Sequence, residues 1–290
     1  MGRTDHTRQR ILTLACPDGP GIVFSVAKFL VERGCNIVQN QQFDDDETDT
    51  FFMRVQFTVT GEDLTDLDGM RAAFGPIAVV HRMRWRMVDA AEKQRVLIMV
   101  SKFGHCLNDL LFRTSIGALN IEVVSVVSNH DTFANLADSY GVPFRRIPVT
   151  AESKPQAEAE LLDTVRELDV DLVVLARYMQ VLSDDLCKQL EGWAINIHHS
   201  MLPSFKGARP YHQAHARGVK IIGATAHYVT GDLDEGPIIE QEVARVDHAM
   251  GADEVTALGR DVECQALARA VRWHTENRVL LNGDRTVVLH

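Results

Sequence analysis

The chain has 290 residues, which is long enough for one large domain or two of ordinary size. Hydrophobic residues make up 46% of it and charged residues 24%, a composition typical of a soluble globular protein with a buried core. The formal net charge of -10 argues against nonspecific binding of DNA or tRNA, because phosphate backbones are bound by basic surfaces.

We expect no secretory signal, because the N-terminus lacks an apolar core. The first eight residues are polar, and no apolar run reaches the length needed to cross a bilayer. The five cysteines are odd in number, far apart and without a Cys-x-x-Cys motif, which is typical of reduced, buried thiols. We therefore expect a cytoplasmic protein that binds neither membranes nor nucleic acids.

The first part of the chain alternates strand and helix patterns. Strands are predicted at residues 10–15, 36–43, 51–57 and 79–87, with one helix beginning at Ile22 and a second at about residues 64–74. The resulting β-α-β-β-α-β order is that of a ferredoxin-like unit. Residues 8–88 are predicted to form this first domain, and residues 89–93 a hinge.

After the hinge the pattern becomes that of a parallel α/β sheet. Apolar strands are predicted at residues 96–100, 122–127, 172–176, 193–197, 222–229 and 238–246, and a closing helix at about 255–277. Strands that alternate with helices predict an open, mostly parallel, Rossmann-like sheet over residues 94–290.

The strand at residues 193–197 leads into a polar segment. Side chains alternate along a strand, so Asn196 and His198 are expected to face the same way. In open α/β sheets, ligands bind beyond the carboxyl ends of the strands. There, Asn196 can donate a hydrogen bond to a carbonyl oxygen that gains negative charge, and His198 can transfer a proton or polarise that oxygen.

A second polar segment, residues 229–237, joins two predicted strands. It holds three carboxylates, of which Asp232 and Glu235 are expected to stay in a solvated turn. A carboxylate close to His198 would orient the imidazole and activate a water molecule. An isolated Asn-x-His more often caps a strand or forms a satisfied core pair, so this prediction depends on the two segments coming together.

Taken together, three motifs are specific. Asn196-x-His198, Ser200-x-Leu202-Pro203 and Asp234-x-Gly236-Pro237 resemble the formyltransferase family that uses 10-formyltetrahydrofolate, over roughly residues 95–277. The resemblance implies that Asn196, His198 and Asp234 are the catalytic residues. It also implies that the folate is the substrate and that no cofactor is required.

The same resemblance implies a folate site on two segments. Backbone groups of Met179, Gln180, Val181 and Leu182 would bind the pterin, and Thr230, Gly231, Asp232 and Leu233 would close its other side. Several relatives have arginine at the position of Gln180, so the resemblance does not assign a role to that side chain.

Other features resemble the hydrolytic members of this family. They are the pair His198-His199, the stretches at residues 207–214 and 223–228, and a preceding regulatory ACT domain. The turn at residues 101–108 has one glycine and bulky Phe103 and His105, which makes a poor phosphate cradle for a ribonucleotide acceptor. Water is then the expected acceptor, giving tetrahydrofolate and formate, with formate supplied to purine synthesis.

Two other functions stay open. The chain either transfers the formyl group to an unidentified amine or serves as an amino-acid-responsive binding protein with an inactive catalytic domain. His199 and His227 are either auxiliary to catalysis or packed, hydrogen-bonded histidines. No metal is predicted, because the sequence lacks His-Glu-x-x-His and any cysteine cluster.

As an ACT domain, the first domain would bind an amino acid. The resemblance implies an amine-binding loop with Asp18, Gly19 and Gly21, completed by Asn36 and Ile37 of a paired subunit. It further implies methionine and glycine as effectors and a homodimer or homotetramer.

Overall fold

The computed structural model describes residues 9–60, 66–202 and 210–290. They form two compact units. The first contains the described residues up to Glu92 together with 276–282 and 286–290, and the second contains 93–275 and 283–285. The described residues include no helix with the length and apolarity needed to cross a membrane.

The first unit has the predicted ferredoxin-like order. Its elements are β1 (Gln9–Pro17), α1 (Ile22–Glu32), β2 (Cys35–Asp45), β3 (Thr50–Val59), α2 (Leu67–Val80) and β4 (Arg84–Asp89). The antiparallel sheet has the order β2-β3-β1-β4. Alternate residues of β1 and β3, such as Leu12, Val55 and Phe57, are buried in one core with Phe29 of α1 and Phe74 of α2.

The second helix is longer than the sequence predicted, and the strand predicted from residue 79 begins only at Arg84. Asp66 caps the helix by accepting hydrogen bonds from the backbone N–H groups of Asp68 and Gly69. Phe74 and Ala78 are buried one turn apart, so the helical period continues past the predicted end. The first predicted residues of this helix, 64 and 65, lie outside the described residues.

The C-terminal residues differ from the predicted domain division, which placed all of 94–290 in the second domain. Residues 276–282 and 286–290 belong to the first unit, where β12 (Val279–Asn282) pairs with β13 (Arg285–Val288). Arg54 of β3 is 1% exposed and donates hydrogen bonds from Nε and Nη2 to the carbonyl oxygen of Glu276. A buried guanidinium needs such acceptors, and sequence periodicity does not reveal them.

The second unit is built on a seven-stranded sheet of the predicted type. Its strands are β5 (Gln94–Val100), β6 (Ile121–Ser128), β7 (Phe144–Arg146), β8 (Leu172–Leu175), β9 (Ala194–His198), β10 (Ile221–Tyr228) and β11 (Ile238–Arg245). Its helices are α3 (His105–Ser115), α4 (Ala134–Ser139), α5 (Lys154–Glu167), α6 (Asp184–Gln189), α7 (Pro210–Arg217) and α8 (Ala252–Thr275). The strand order is β11-β10-β9-β8-β5-β6-β7.

Strand direction confirms the mostly parallel sheet. The strands from β7 to β9 pair in parallel, and β10 and β11 are added antiparallel. The chain moves from β5 to one side and returns to the other at β8, so a topological switch point lies between these strands. Ser101, just after β5, donates its backbone N–H to the Arg177 carbonyl oxygen, just after β8. The two segments that leave the switch point are therefore tied together.

Candidate active site

The pairing of β9 with β10 places the first two predicted catalytic residues. Asn196 lies opposite His227, and His198 lies opposite Thr225. Because side chains alternate along β9, Asn196 and His198 project from the same face of the sheet. Both are half-buried, whereas Ile195 and Ile197 between and beside them are buried.

His227 links the amide of Asn196 to the backbone. Its side chain is 3% exposed, and its Nδ1 lies 2.8 Å from the carbonyl oxygen of Tyr228, which can only accept. The ring hydrogen is therefore on Nδ1, and Nε2 accepts a hydrogen bond of 3.2 Å from Nδ2 of Asn196. This contact fixes the direction of the Asn196 amide.

Asp234 supplies the carboxylate. Its Oδ1 lies 3.1 Å from Nδ1 of His198 and 3.8 Å from Nε2 of His227. The second separation is too long for a hydrogen bond, so His198 is the direct partner. Burial raises the pKa of Asp234, but the hydrogen bond with His198 outweighs it and holds the pKa well below its ordinary value. The carboxylate is therefore ionised at neutral pH.

The loop that carries Asp234 has a demanding backbone. Asp234 itself has φ of 60°, a left-handed conformation that aspartate adopts more readily than most residues. A Cβ added at Gly236 would lie 1.8 Å from the carbonyl oxygen of Tyr228, the same oxygen that accepts from His227. Only glycine fits at this position, which gives the Asp-x-Gly-Pro motif a physical reason.

The second histidine of the pair, His199, stacks on His198 with ring centroids 5.0 Å apart. Burial, together with the positive charge of Arg177, lowers the pKa of His199 to about 4. His199 is therefore neutral at neutral pH, beside a histidine that contacts a carboxylate.

The two segments predicted to bind folate flank β9, because β8 and β10 are its neighbours. Tyr178, Gln180, Val181 and Leu182 line a narrow, mainly apolar cavity with residues of α5 and the neighbouring strands. Met179 is half exposed beside them. In the other segment, Thr230 Oγ1 donates to the Asp232 carbonyl oxygen, Gly231 lies near Asp184, and Leu233 is exposed.

Thr225, to which the sequence assigned no role, holds the segment after β9. It is fully buried, and its Oγ1 donates to the Ser200 carbonyl oxygen at 2.9 Å. Thr225 Oγ1 in turn accepts from the backbone N–H of Leu202 and from Nε2 of Gln241. The rest of this segment, including Pro203 and motif residues 207–209, lies outside the described residues.

A buried carboxylate on α8 was not predicted either. Glu263 is 1% exposed and contacts Tyr211, His105 and Arg177. The sequence carries one signal for it, since Glu263 interrupts the apolar stripe of Val255, Val262, Ala266 and Leu267. A charged residue on the buried face of a helix needs partners from elsewhere in the chain.

Within the described ranges, the three-residue group with metal-ligand spacing is His105, Cys106 and Glu263, whose ligand atoms lie within 4.8 Å of one another. Burial raises the pKa of the Cys106 thiol well above its ordinary value, which keeps it protonated and a poor ligand. The guanidinium of Arg177 lies against the same carboxylate, and its positive charge disfavours a cation. The geometry is that of a hydrogen-bonded cluster.

The five residues predicted to bind an effector lie in two places in the first unit. Asp18, Gly19 and Gly21 form the loop between β1 and α1, where Gly21 has φ of 91°. Asn36 and Ile37 lie at the start of β2, which pairs with the end of β3, whereas Pro17 pairs with its beginning. One chain therefore holds the two groups at opposite ends of the sheet.

Known proteins are similar to this chain in sequence and in fold. Residues 94–271 match the formyl transferase family. A formyltetrahydrofolate deformylase of Corynebacterium sp. is 54% identical over 282 residues, which cover 97% of this chain and 98% of the relative. The crystal structure of a formyltetrahydrofolate deformylase from Burkholderia mallei has a TM-score of 0.93 at 54% identity, covering 98% of this chain and 100% of that one.

A transferase of the same fold matches a smaller share of the chain. The structure of glycinamide ribonucleotide transformylase 1 from Symbiobacterium toebii has a TM-score of 0.64 at 29% identity, covering 68% of this chain and 95% of that one. The similarity to the deformylases thus extends over nearly the whole chain, and the similarity to the transferase does not.

Proposed function

The chain belongs to the formyl transferase family, and we propose that it hydrolyses 10-formyltetrahydrofolate to tetrahydrofolate and formate. The observation that carries this proposal is the direct contact between His198 and Asp234 beside an oriented Asn196 amide. An amide donor, an imidazole and an ionised carboxylate are the groups that hydrolysis of a formamide requires.

The first step is attack by water on the formyl carbon. Nδ1 of His198 faces the Asp234 carboxylate, so Nε2 on the far side of the ring is the atom that exchanges protons with water. The ionised carboxylate orients the imidazole and stabilises it once it has accepted a proton. As the water oxygen bonds to carbon, the electron pair of the carbonyl moves onto its oxygen.

Asn196 then stabilises the negative oxygen. One hydrogen of its amide is used by Nε2 of His227, and the amide nitrogen has a second hydrogen to offer. Because His227 is held by the Tyr228 carbonyl, the donor is oriented before the charge develops. We therefore assign His227 a positioning role, and His198 shares in binding the oxyanion when protonated.

Collapse of the tetrahedral intermediate breaks the bond between carbon and N10. The electron pair of that bond goes to N10, which takes a proton from His198. The products are tetrahydrofolate and formic acid, which ionises to formate. Neutral His199, stacked on His198, keeps this proton on a single imidazole, and this is the auxiliary role that we propose for it.

The turn between β5 and α3 favours water, rather than a phosphorylated amine, as the acceptor of the formyl group. His105 begins α3, where a helix N-terminus would favour an anion, but its Nε2 contacts the carboxylate of Glu263 at 2.7 Å. A second anion at this position would be repelled by that carboxylate.

We propose that the folate ring binds between the two segments beside β9. The exposed side chains of Met179 and Val181 offer the ring apolar surface, and the backbone groups of residues 179–182 supply polar contacts. Residues 230–233 close the opposite side, where Leu233 is exposed and available for apolar contact. Gln180 contributes its backbone in this proposal, without an assigned side-chain role.

The first unit is proposed to be an ACT domain that binds methionine and glycine. The loop with Asp18, Gly19 and Gly21 and the pair Asn36 and Ile37 lie at opposite sheet ends, so a complete site requires two chains. A homodimer or homotetramer follows from this proposal. We further propose a cytoplasmic protein that requires no cofactor and supplies formate to purine synthesis.

The test is incubation with 10-formyltetrahydrofolate alone, following tetrahydrofolate and formate together, with and without methionine and glycine. Equal release of both products without an added amine is expected. Consumption of substrate only after addition of an amine acceptor would establish a transferase instead, and no consumption under either condition would indicate a binding protein.

Asn196→Ala tests the oxyanion role. Loss of one oxyanion donor costs about 3 kcal/mol of barrier, so kcat should fall by about two to three orders of magnitude while tetrahydrofolate still binds. The measurement is single-turnover formate release together with calorimetric binding of tetrahydrofolate. Near-normal turnover of this variant would remove Asn196 from the mechanism.

A further inference from the structure

Three segments of the second unit meet at the carboxylate of Glu263. His105 Nε2 lies 2.7 Å from Oε2, Tyr211 donates its hydroxyl to Oε1 at 2.8 Å, and Arg177 Nε lies 3.3 Å from Oε2. They come from the start of α3, from α7 and from the turn after β8. One side chain of α8 thus connects three separate parts of this unit.

The carboxylate is charged although it is buried. Burial raises the pKa of Glu263, but the hydrogen bond from His105 and the positive charge of Arg177 outweigh this and lower it below its ordinary value. An unpaired carboxylate at this depth would be strongly unfavourable, so these partners are required for the fold to tolerate it.

Two backbone positions accommodate the partners of Glu263. A Cβ at Gly259, one turn before Glu263, would lie 2.3 Å from the Tyr211 ring, so glycine makes room for that ring. Arg177 has φ of 66°, an unfavourable conformation for a long side chain. Such a conformation persists when its surroundings hold it, and Arg177 has two such contacts, the backbone hydrogen bond from Ser101 and the ion pair with Glu263, in which Nε makes no hydrogen bond.

Arg177 is the residue immediately before the segment that we propose binds folate. Its carbonyl oxygen accepts from the backbone N–H of Ser101, and Ser101 Oγ accepts from the backbone N–H of Met179. Ser101 therefore holds the backbone at the beginning of the segment, and Glu263 contacts the side chain of Arg177.

From this geometry we propose that Glu263 is a positioning residue, which holds Arg177 and thereby sets the conformation of residues 178–182 and the affinity for the folate. This proposal rests on the proposed function. Glu263 contacts no reacting atom in it, so its loss should weaken folate binding much more than it slows the chemical step.

The first variant is Glu263→Gln, which keeps the size of the side chain and removes its charge. The Kd for tetrahydrofolate, measured by calorimetry, and the KM for 10-formyltetrahydrofolate should both rise about tenfold, as expected for loss of a charged contact. The value of kcat should change less than about threefold. Circular dichroism and thermal melting check that the variant folds.

A second variant tests the same contact from its other end. Arg177→Asn removes the guanidinium and places at this position a residue that tolerates positive φ. It should raise the Kd as Glu263→Gln does, and the double variant should raise it no further, because both changes remove one interaction. If Glu263→Gln does not fold, the Kd of Arg177→Asn tests the proposal by itself.

Tyr211→Phe is the matched control. It removes one hydrogen bond to Glu263 and leaves the contact with Arg177, so the Kd should change less than about threefold. An unchanged Kd in both charge-removing variants, or an equal rise in Tyr211→Phe, would overturn the proposal. Formate release by the unaltered protein is measured first, so that failure of the proposed function is recognised separately.

Discussion

In the described part of the second unit, a carboxylate contacts a histidine in two clusters, which differ in the exposure of the carboxylate and in the number of its partners. Asp234 is 26% exposed and has His198 as its direct partner, whereas Glu263 is 1% exposed and has contacts from three residues. The exposed carboxylate keeps an oxygen available to water, and the buried one is fully occupied. The same chemical groups can therefore serve proton transfer or positioning, and exposure and the number of partners separate the two roles.

The sharpest test of this difference is Asp234→Asn. The neutral amide can still contact His198 but cannot stabilise a protonated imidazole, so kcat should fall about 10²–10⁴-fold while the fold is retained. Single-turnover formate release measures the effect, and near-UV circular dichroism provides the control for folding. A fall in kcat of less than about tenfold would mean that Asp234, like Glu263, is not catalytic.

A smaller effect is expected from Gly236→Ala. The added Cβ would approach the Tyr228 carbonyl oxygen, so the loop must shift and carry Asp234 away from His198. A displacement of about 1 Å typically costs about a hundredfold in rate. The corresponding control is Gly251→Ala, because the added Cβ there has ordinary contact distances. Equal kcat values for the two variants would contradict the proposed importance of the loop.

The smallest effect concerns pH and stability. The folded-state pKa of Asp234 is lowered, so its stabilisation is present above the ordinary aspartate value near 4 and is lost as pH falls through the folded-state value. The free energy of unfolding of the wild type should therefore exceed that of Asp234→Asn at pH 7. The difference should shrink below about pH 4, as followed by urea denaturation. A difference independent of pH would mean that the carboxylate charge does not stabilise the fold.

The sequence predicted most strands of both sheets and the helix α8, because their apolar periodicity is strong, but it placed the start of β4 too early and did not indicate the three-residue strand β7. It also predicted Asn196, His198 and Asp234, which lie in short motifs, and the structure brings His198 and Asp234 into contact. The cluster around Glu263 was not predicted. His105 and Glu263 are 158 positions apart, and a contact between them leaves no local pattern in the sequence.

The boundary of the first unit was unpredictable for a related reason. Sequence patterns mark where a helix ends, and α8 was predicted to end near its observed end at Thr275. They do not mark which sheet the following residues pack against. Arg54 of β3 donates to Gln39 and Gln56 of its own sheet, but another of its acceptors, the Glu276 carbonyl oxygen, belongs to a segment more than 200 positions later.

This pairing of Arg54 with Glu276 has a consequence for how the protein is made. The strands of the first sheet leave the ribosome long before residue 276 is synthesised, so Arg54 must stay hydrated until nearly the whole polypeptide has emerged. The cover over Arg54 is then added last, although the strands of the sheet beneath it are translated first. An excised fragment of residues 9–92 would leave a charged arginine without one of its natural acceptors, and it is a poor choice for studying that sheet in isolation.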